Sequence, residues 1–269
     1  MDSSEKIQWH PAFRQAIKAE LAEYSSVLDF IDEYQLTTEP LRIDCVIIKK
    51  PPEIYIRKNI GRIFKGQNIV EFKSPEDSLD LDGYNKTFAY AYLYASLTSA
   101  DINDMTVSLV TSNHPKNLLN YLGGDPNLKA EATDSGIYYI TGERMPVQLI
   151  ETKSLAEEEN LWLRALRSGL TQATLKRLID ESKRYRGEIG AYAYAILEAN
   201  EEILKGDDEM SLAKTLTENP AYVRELEKLG FGNKFEIAKN MLKRNRPVDE
   251  IVEDTGLTRE EVEALRNAD

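Results

Sequence analysis

Two residues two positions apart in the numbering are of kinds that can act together chemically: Glu71 and Lys73, on either side of Phe72, in the phrase Asn68-Ile69-Val70-Glu71-Phe72-Lys73. The β-branched run around them predicts a strand, stopped by Ser74-Pro75. On a strand, residues two apart share a face about 6.6 to 6.8 Å from each other. Glu71 and Lys73 then project together while Phe72 points into the opposite layer. An acid and an amine placed this way can divide two jobs, the acid holding a divalent cation and the amine orienting a water beside it. Asp44 lies inside a second apolar run, Leu41-Arg42-Ile43-Asp44-Cys45-Val46-Ile47-Ile48. A lone carboxylate there needs a cation or hydrogen-bond donors to offset its desolvation. Glu20 supplies a third acid: at helical pitch it falls about 20° from Phe13 and about 40° from Tyr24, inside an apolar stripe. The expectation is that Glu20, Asp44 and Glu71 meet Lys73 around one metal ion.

Plainer roles stand beside each of these. Glu-x-Lys occurs three times, at Glu71, Glu151 and Glu181, so the tripeptide alone says little. Glu181 lies in a helical pattern, where positions two apart diverge, and no aspartate-bearing strand precedes Glu151. A structural ion pair is the alternative for Glu71 with Lys73, and a satisfied core carboxylate is the alternative for Asp44 and Glu20.

The elements that would position these groups follow from periodicity. Phe13, Ile17, Leu21, Tyr24, Val27, Leu28 and Ile31 fall on one stripe, which predicts an opening helix of roughly five turns. Thr37, Thr38 and Pro40 break it before the Asp44 strand, which Lys49-Lys50-Pro51-Pro52 ends. Ile54 to Arg57 reads as a short strand. Tyr84 to Leu97, apolar on nearly every side, reads as a helix covered on both faces, Thr106 to Thr111 as a strand and Pro115 to Leu122 as a short helix. Gly136 to Thr141 with Val147 to Ile150 reads as a hairpin. This mixed order predicts an α/β domain over residues 1–152. Strand signals then stop: Leu155 to Leu166, Gln172 to Arg186, Gly190 to Leu204 and Ala221 to Leu229 are helical in pattern. They predict an all-helical C-terminal region over 153–232, followed by a small tail over 233–269. In that tail Val248 to Val262 resembles a helix-turn-helix unit with Gly256 in the turn. The helix after the turn carries Glu260, Glu261 and Glu263 against Arg259 and Arg266, which suits packing or protein docking better than phosphates.

Through Glu20, Asp44 and Glu71-Phe72-Lys73, the first 150 or so residues resemble the PD-(D/E)XK nuclease superfamily. Within it, Pro40-Leu41-Arg42-Ile43-Asp44 and Asn68-Ile69-Val70-Glu71-Phe72-Lys73-Ser74-Pro75 are similar to phrases of the bacterial recombination-promoting nuclease and transposase-like group. The resemblance implies a restriction-endonuclease-like mixed sheet flanked by helices and magnesium- or manganese-dependent cleavage of DNA phosphodiesters. It implies Asp44 and Glu71 as metal ligands, Glu20 as an accessory ligand and Lys73 as the residue that steers the water. Where the superfamily often shows a Pro-Asp pair at its first acid, Ile43 precedes Asp44.

Composition bounds the alternatives. The chain has 269 residues and a net charge of −12, but Arg42 to Lys73 carries eight cations and three anions, a basic stretch on an acidic protein. Arg57, Lys58, Arg62 and Lys65 are candidates to track a phosphate backbone, with Lys86, Tyr90 and Tyr84 on the following helix near the scissile phosphate; a solvated loop and a buried aromatic face are the plain alternatives. One cysteine, Cys45, excludes an internal disulfide and a multi-thiolate zinc site. The two histidines, His10 and His114, each precede a proline and read as helix-entry residues. A cytoplasmic location is expected, since no apolar run is long enough for a membrane span or signal peptide. DNA is the expected partner, with a two-fold dimer if both strands of a duplex are cut. A catalytically silent nuclease fold acting through its helical tail, and a helical scaffold for oligomerisation, are the competing readings.

Overall fold

The computed structural model describes residues 7, 9–35, 41–51, 53–204, 220–228, 238–239, 241–243 and 246–267. The chain divides into two compact units, Trp9–Arg167 and Ser168–Asp269 together with the first eight residues. The first unit holds a seven-stranded mixed sheet flanked by helices. Its elements in chain order are α1 (Trp9–Glu20), β1 (Leu28–Gln35), β2 (Arg42–Lys49), β3 (Gln67–Lys73), α2 (Leu81–Thr98), β4 (Met105–Thr111), α3 (Lys116–Gly124), β5 (Lys129–Asp134), β6 (Ile137–Thr141), β7 (Val147–Glu151) and α4 (Leu161–Arg164). The strand order is β1-β2-β3-β4-β7-β6-β5; β3, β4 and β7 run parallel and their other neighbours antiparallel.

Alternation sorts the two faces. Ile69, Val107, Leu109, Val147 and Leu149 join Tyr84, Phe88, Ala91 and Tyr94 of α2 in one core. Phe72, one residue out of phase, stacks on Phe13 of α1 with ring centroids 4.3 Å apart, so α1 covers the opposite face. The β2, β3, β4, β6 and β7 strands and the α2 and α3 helices lie where the hydrophobic patterns put them, but α2 is covered on one face, not both: Asn85, Lys86, Ala89, Tyr92 and Ser96 are exposed.

Three expectations are corrected. The opening helix stops at Glu20, and Leu28 to Gln35 is strand β1 paired antiparallel with β2. Helical and strand spacings overlap over so short a run; the serines at 25 and 26 disfavour the helix, and pairing with β2 decides the outcome. Ile54 to Arg57 has no strand partner, and β5, whose polar sequence Lys-Ala-Glu-Ala-Thr-Asp gives no apolar alternation, is an added edge strand. The unit also runs past 152 to Arg167, because α4 buries Leu161, Trp162 and Leu163 and packs on α1. The break expected at Thr37, Thr38 and Pro40 and the boundary at 232/233 lie outside the described residues.

The second unit is helical among its described residues: α5 (Gln172–Ser182), α6 (Gly190–Ala199), α7 (Glu201–Leu204), α8 (Pro220–Lys228), α9 (Val248–Thr255) and α10 (Arg259–Asn267). The last two are joined through Gly256, whose φ of +67° closes α9 in the left-handed conformation that glycine adopts without a Cβ clash. Ala238, Ile251, Leu257, Val262 and Leu265 form their small core. Thr258 and Glu261 cap α10 reciprocally, each side chain accepting from the other's backbone N–H.

Candidate active site

Asp44 is released from strand pairing on both sides. On β1 the partners are Asp32 with Cys45 and then Tyr34 with Ile43, leaving Asp44 opposite Glu33, whose φ of +47° turns its backbone out of the regular strand. On β3 the ladder ends at Cys45 with Val70. Beyond that point a side chain replaces the ladder: the Phe72 N–H donates to Asp44 Oδ2 at 2.8 Å. The carboxylate of Asp44 is thereby set against the middle of Glu71-Phe72-Lys73.

Glu71 and Lys73 share the α2 face of β3, and their side chains form an ion pair at 3.4 Å. The Glu71 side chain is 10% exposed, and its Oε2 is buried without a hydrogen-bond partner. Burial first, and the neighbouring Asp44 second, push the Glu71 carboxyl up to about 7, with Lys73 opposing. The Lys73 chain passes the first turn of α2, 3.5 Å from where a side chain on Gly83 would begin, and Asp80 caps that turn by accepting from the Gly83 N–H. Lys86, farther along α2, sits 5.3 Å over the Tyr90 ring. Tyr90 is the main cause of its raised pKa, and the charges of Glu71 and Asp44 add to it. Lys86 therefore feels both carboxylates.

His10 joins the cluster, which its helix-entry grammar did not foretell. His10 and Phe13 stand one turn apart on α1 and both rest on Phe72, the histidine edge-on at 5.7 Å. From there His10 Nδ1 reaches Asp44 Oδ1 at 3.1 Å. The bond to Asp44 raises the His10 pKa against its partial burial, and the charge of Glu71 raises it further. The only trace in the sequence is the position of His10, three residues before a phenylalanine on the inward helix face.

Glu20 is not brought to this cluster. It ends α1, about 15 Å along the helix axis from His10. Its Oε1 accepts from the Trp162 and Leu163 N–H groups at 2.6 and 3.1 Å, and its Oε2 pairs with Lys58 at 2.9 Å. Burial raises its pKa, with Lys58 opposing. The inward acid is thus explained by an ion pair and by the opening of α4. Among the described residues no group of three or more His, Cys, Asp and Glu is arranged to hold a metal ion.

In the basic loop two of the four cations, Lys58 and Lys65, are tied to the protein and two, Arg57 and Arg62, are exposed. Lys58 serves Glu20, Arg62 contacts Asp134 and the Arg57 carbonyl, and Lys65 donates to the Asn103 carbonyl at 2.7 Å. Tyr84 donates to Glu143 at 2.7 Å, Tyr90 is buried, and burial of Cys45 raises its thiol pKa out of the reactive range.

Comparison with protein-family models, with curated proteins and with solved structures finds no match to this chain. The assembled groups are therefore two adjacent carboxylates, Asp44 and Glu71, flanked by Lys73, Lys86 and His10.

Proposed function

We propose that this protein is a metal-dependent DNA endonuclease that hydrolyses phosphodiester bonds, of the PD-(D/E)XK kind its sequence phrases resemble, acting in recombination or mobile-element chemistry. One observation carries the reading: Glu71 Oε2 is buried without a partner beside a second carboxylate, Asp44, whose charge resists its ionisation. A divalent cation relieves both conditions, so the residues present fit one. Asp44 and Glu71 would hold it, and oxygen donors of this kind suit magnesium or manganese. Such an ion, when bound, polarises the phosphoryl oxygen and lowers the pKa of a water.

The remaining work falls to the chain. The backbone N–H of Phe72 and the imidazole of His10 fix the Asp44 carboxylate from two sides. Lys73, 3.4 Å from Glu71, would hold the attacking water by a hydrogen bond from its ammonium. Lys86, whose charge interacts with those of Glu71 and Asp44, would add positive charge that stabilises the transition state. The mixed sheet flanked by helices agrees with the core that the resemblance implies.

The deciding experiment is plasmid nicking with and without magnesium, using the purified chain and its Glu71→Ala and Lys73→Ala variants. Magnesium-dependent nicking lost in both variants, with circular dichroism unchanged, is the expected result. Full activity in both removes the reading. DNA binding without magnesium and without any nicked product points instead to the catalytically silent binding module.

A further inference from the structure

The Glu-x-Lys phrase recurs where β7 ends, as Glu151-Thr152-Lys153, and there it meets the second histidine. Because β3, β4 and β7 are parallel and in register, Lys73, Thr111 and Glu151 form one row at their carboxyl ends. The row lies on the face that carries Glu71, and two strand spacings separate Glu151 from Lys73 by about 10 Å at the backbone. His114 follows the end of β4 by three residues. Its Nδ1 lies 2.9 Å from Glu151 Oε2, while Ser154 Oγ donates to Glu151 Oε1 at 2.7 Å. The Glu151 side chain is 10% exposed and that of His114 52%. A buried, doubly bonded carboxylate thus grips an imidazole that opens to solvent.

Asn113 braces this corner to the first. Its amide nitrogen donates to the carbonyls of Pro75 at 2.9 Å and Asp77 at 3.3 Å, in the loop that follows Lys73, and its Oδ1 accepts from Lys153 Nζ at 2.8 Å. The rim that holds His114 is therefore continuous with the rim that holds Lys73.

A carboxylate that accepts from Nδ1–H decides which ring nitrogen points away. Nε2 of His114 then faces outward at the carboxyl end of a parallel strand, where open α/β sheets receive ligands, and it would donate to a bound phosphate once the ring takes up a second proton on binding. Lys153, held through Asn113, adds a second cation nearby.

We infer that His114, oriented by Glu151, binds a backbone phosphate of DNA neighbouring the one engaged at Asp44 and Glu71. The identity of the ligand rests on the nuclease reading; the geometry of the dyad does not. His114 is the contact, and Glu151 is a positioning residue acting through it.

The test is the anisotropy of fluorescein-labelled duplex DNA titrated with the full chain over a series of salt concentrations without divalent metal, alongside plasmid nicking with magnesium. His114→Ala is expected to weaken binding about tenfold and to make the plot of log affinity against log salt shallower by about 0.9, the increment for one lost phosphate contact. His114→Gln, which keeps a donor but no charge, should lose the same slope increment. Glu151→Gln should weaken binding less and add nothing to His114→Ala. In nicking, KM should rise by a larger factor than kcat falls. Wild-type affinity and slope in both His114 variants overturn the proposal while leaving nicking, and the nuclease reading, untouched. Binding that depends on His114 in a chain that never nicks keeps the proposal and removes the nuclease reading. A chain that does not bind DNA at all overturns the proposal.

Discussion

Glu71 is the residue at which the site can be interrogated without a substrate. Its folded-state pKa of about 7 stands above the ordinary 4.5, so between those values the folded protein holds a proton that the unfolded chain releases. Without metal, stability should therefore fall as pH rises from about 4.5 to about 7, by roughly 3 kcal/mol at most for this residue. Urea midpoints measured in EDTA across that range should show the decline, and Glu71→Gln should flatten it. Magnesium added at pH 8 should raise the midpoint of the wild type but not of Glu71→Gln, since only an ionised carboxylate gains from the cation. Glu20 gives the contrasting case. Removing one member of its buried pair with Lys58 leaves an uncompensated charge, so Lys58→Ala should cost about 3 to 5 kcal/mol in a denaturant titration. Glu20→Gln should cost less and leave magnesium affinity, measured by calorimetry, at the wild-type value, because its carboxylate lies at the other end of α1 from His10. The apolar stripe showed that Glu20 points inward, but the same stripe cannot say whether an inward acid meets a metal or a lysine. Likewise nothing local to Trp9-His10-Pro11 reveals that His10 will find Asp44, since 34 residues separate the two in sequence.

At the scale of elements, the strands that bear Asp44 and Glu71 were the most legible. β2 and β3 are buried on both faces, and the continuous Val/Ile runs this requires are visible in the sequence around Asp44 and Glu71. The elements at the rim were not: β1 mixes Asp29, Asp32 and Glu33 with apolar residues at spacings that also satisfy a helix, and β5 has almost no apolar residue to alternate. Edge strands owe their state to the partner they pair with, which is long-range information. The central residue of Glu-Phe-Lys makes a separate point, since Phe72 is the seat on which both His10 and Phe13 rest. Phe72→Ala should cost about 3 to 5 kcal/mol in urea unfolding and, by unseating His10, should return the His10 pKa toward 6.5, as read by its imidazole NMR titration. In the helical unit, Thr258→Ala removes one half of the α10 capping pair and should lower that unit's stability by about 1 kcal/mol, seen as a lower thermal midpoint.

For the whole molecule, the division at Arg167 places Asp44, Glu71, Lys73, His10, Lys86 and His114 within one compact unit. A chain spanning residues 9–167 should therefore melt cooperatively and keep its magnesium response, whereas one cut at 152 should not, having lost the partners of Glu20 on α4. Comparing the thermal melts of the two truncations checks this. The edge strands of the sheet, β1 and β5, are both armed with charge. Asp29, Asp32 and Glu33 on β1 are matched by Lys50, Lys18 and Arg14, and β5 presents Lys129 and Glu131. Adding an eighth strand from another copy would strip water from those ions without replacing their partners. Self-association by sheet extension is thus disfavoured at both edge strands.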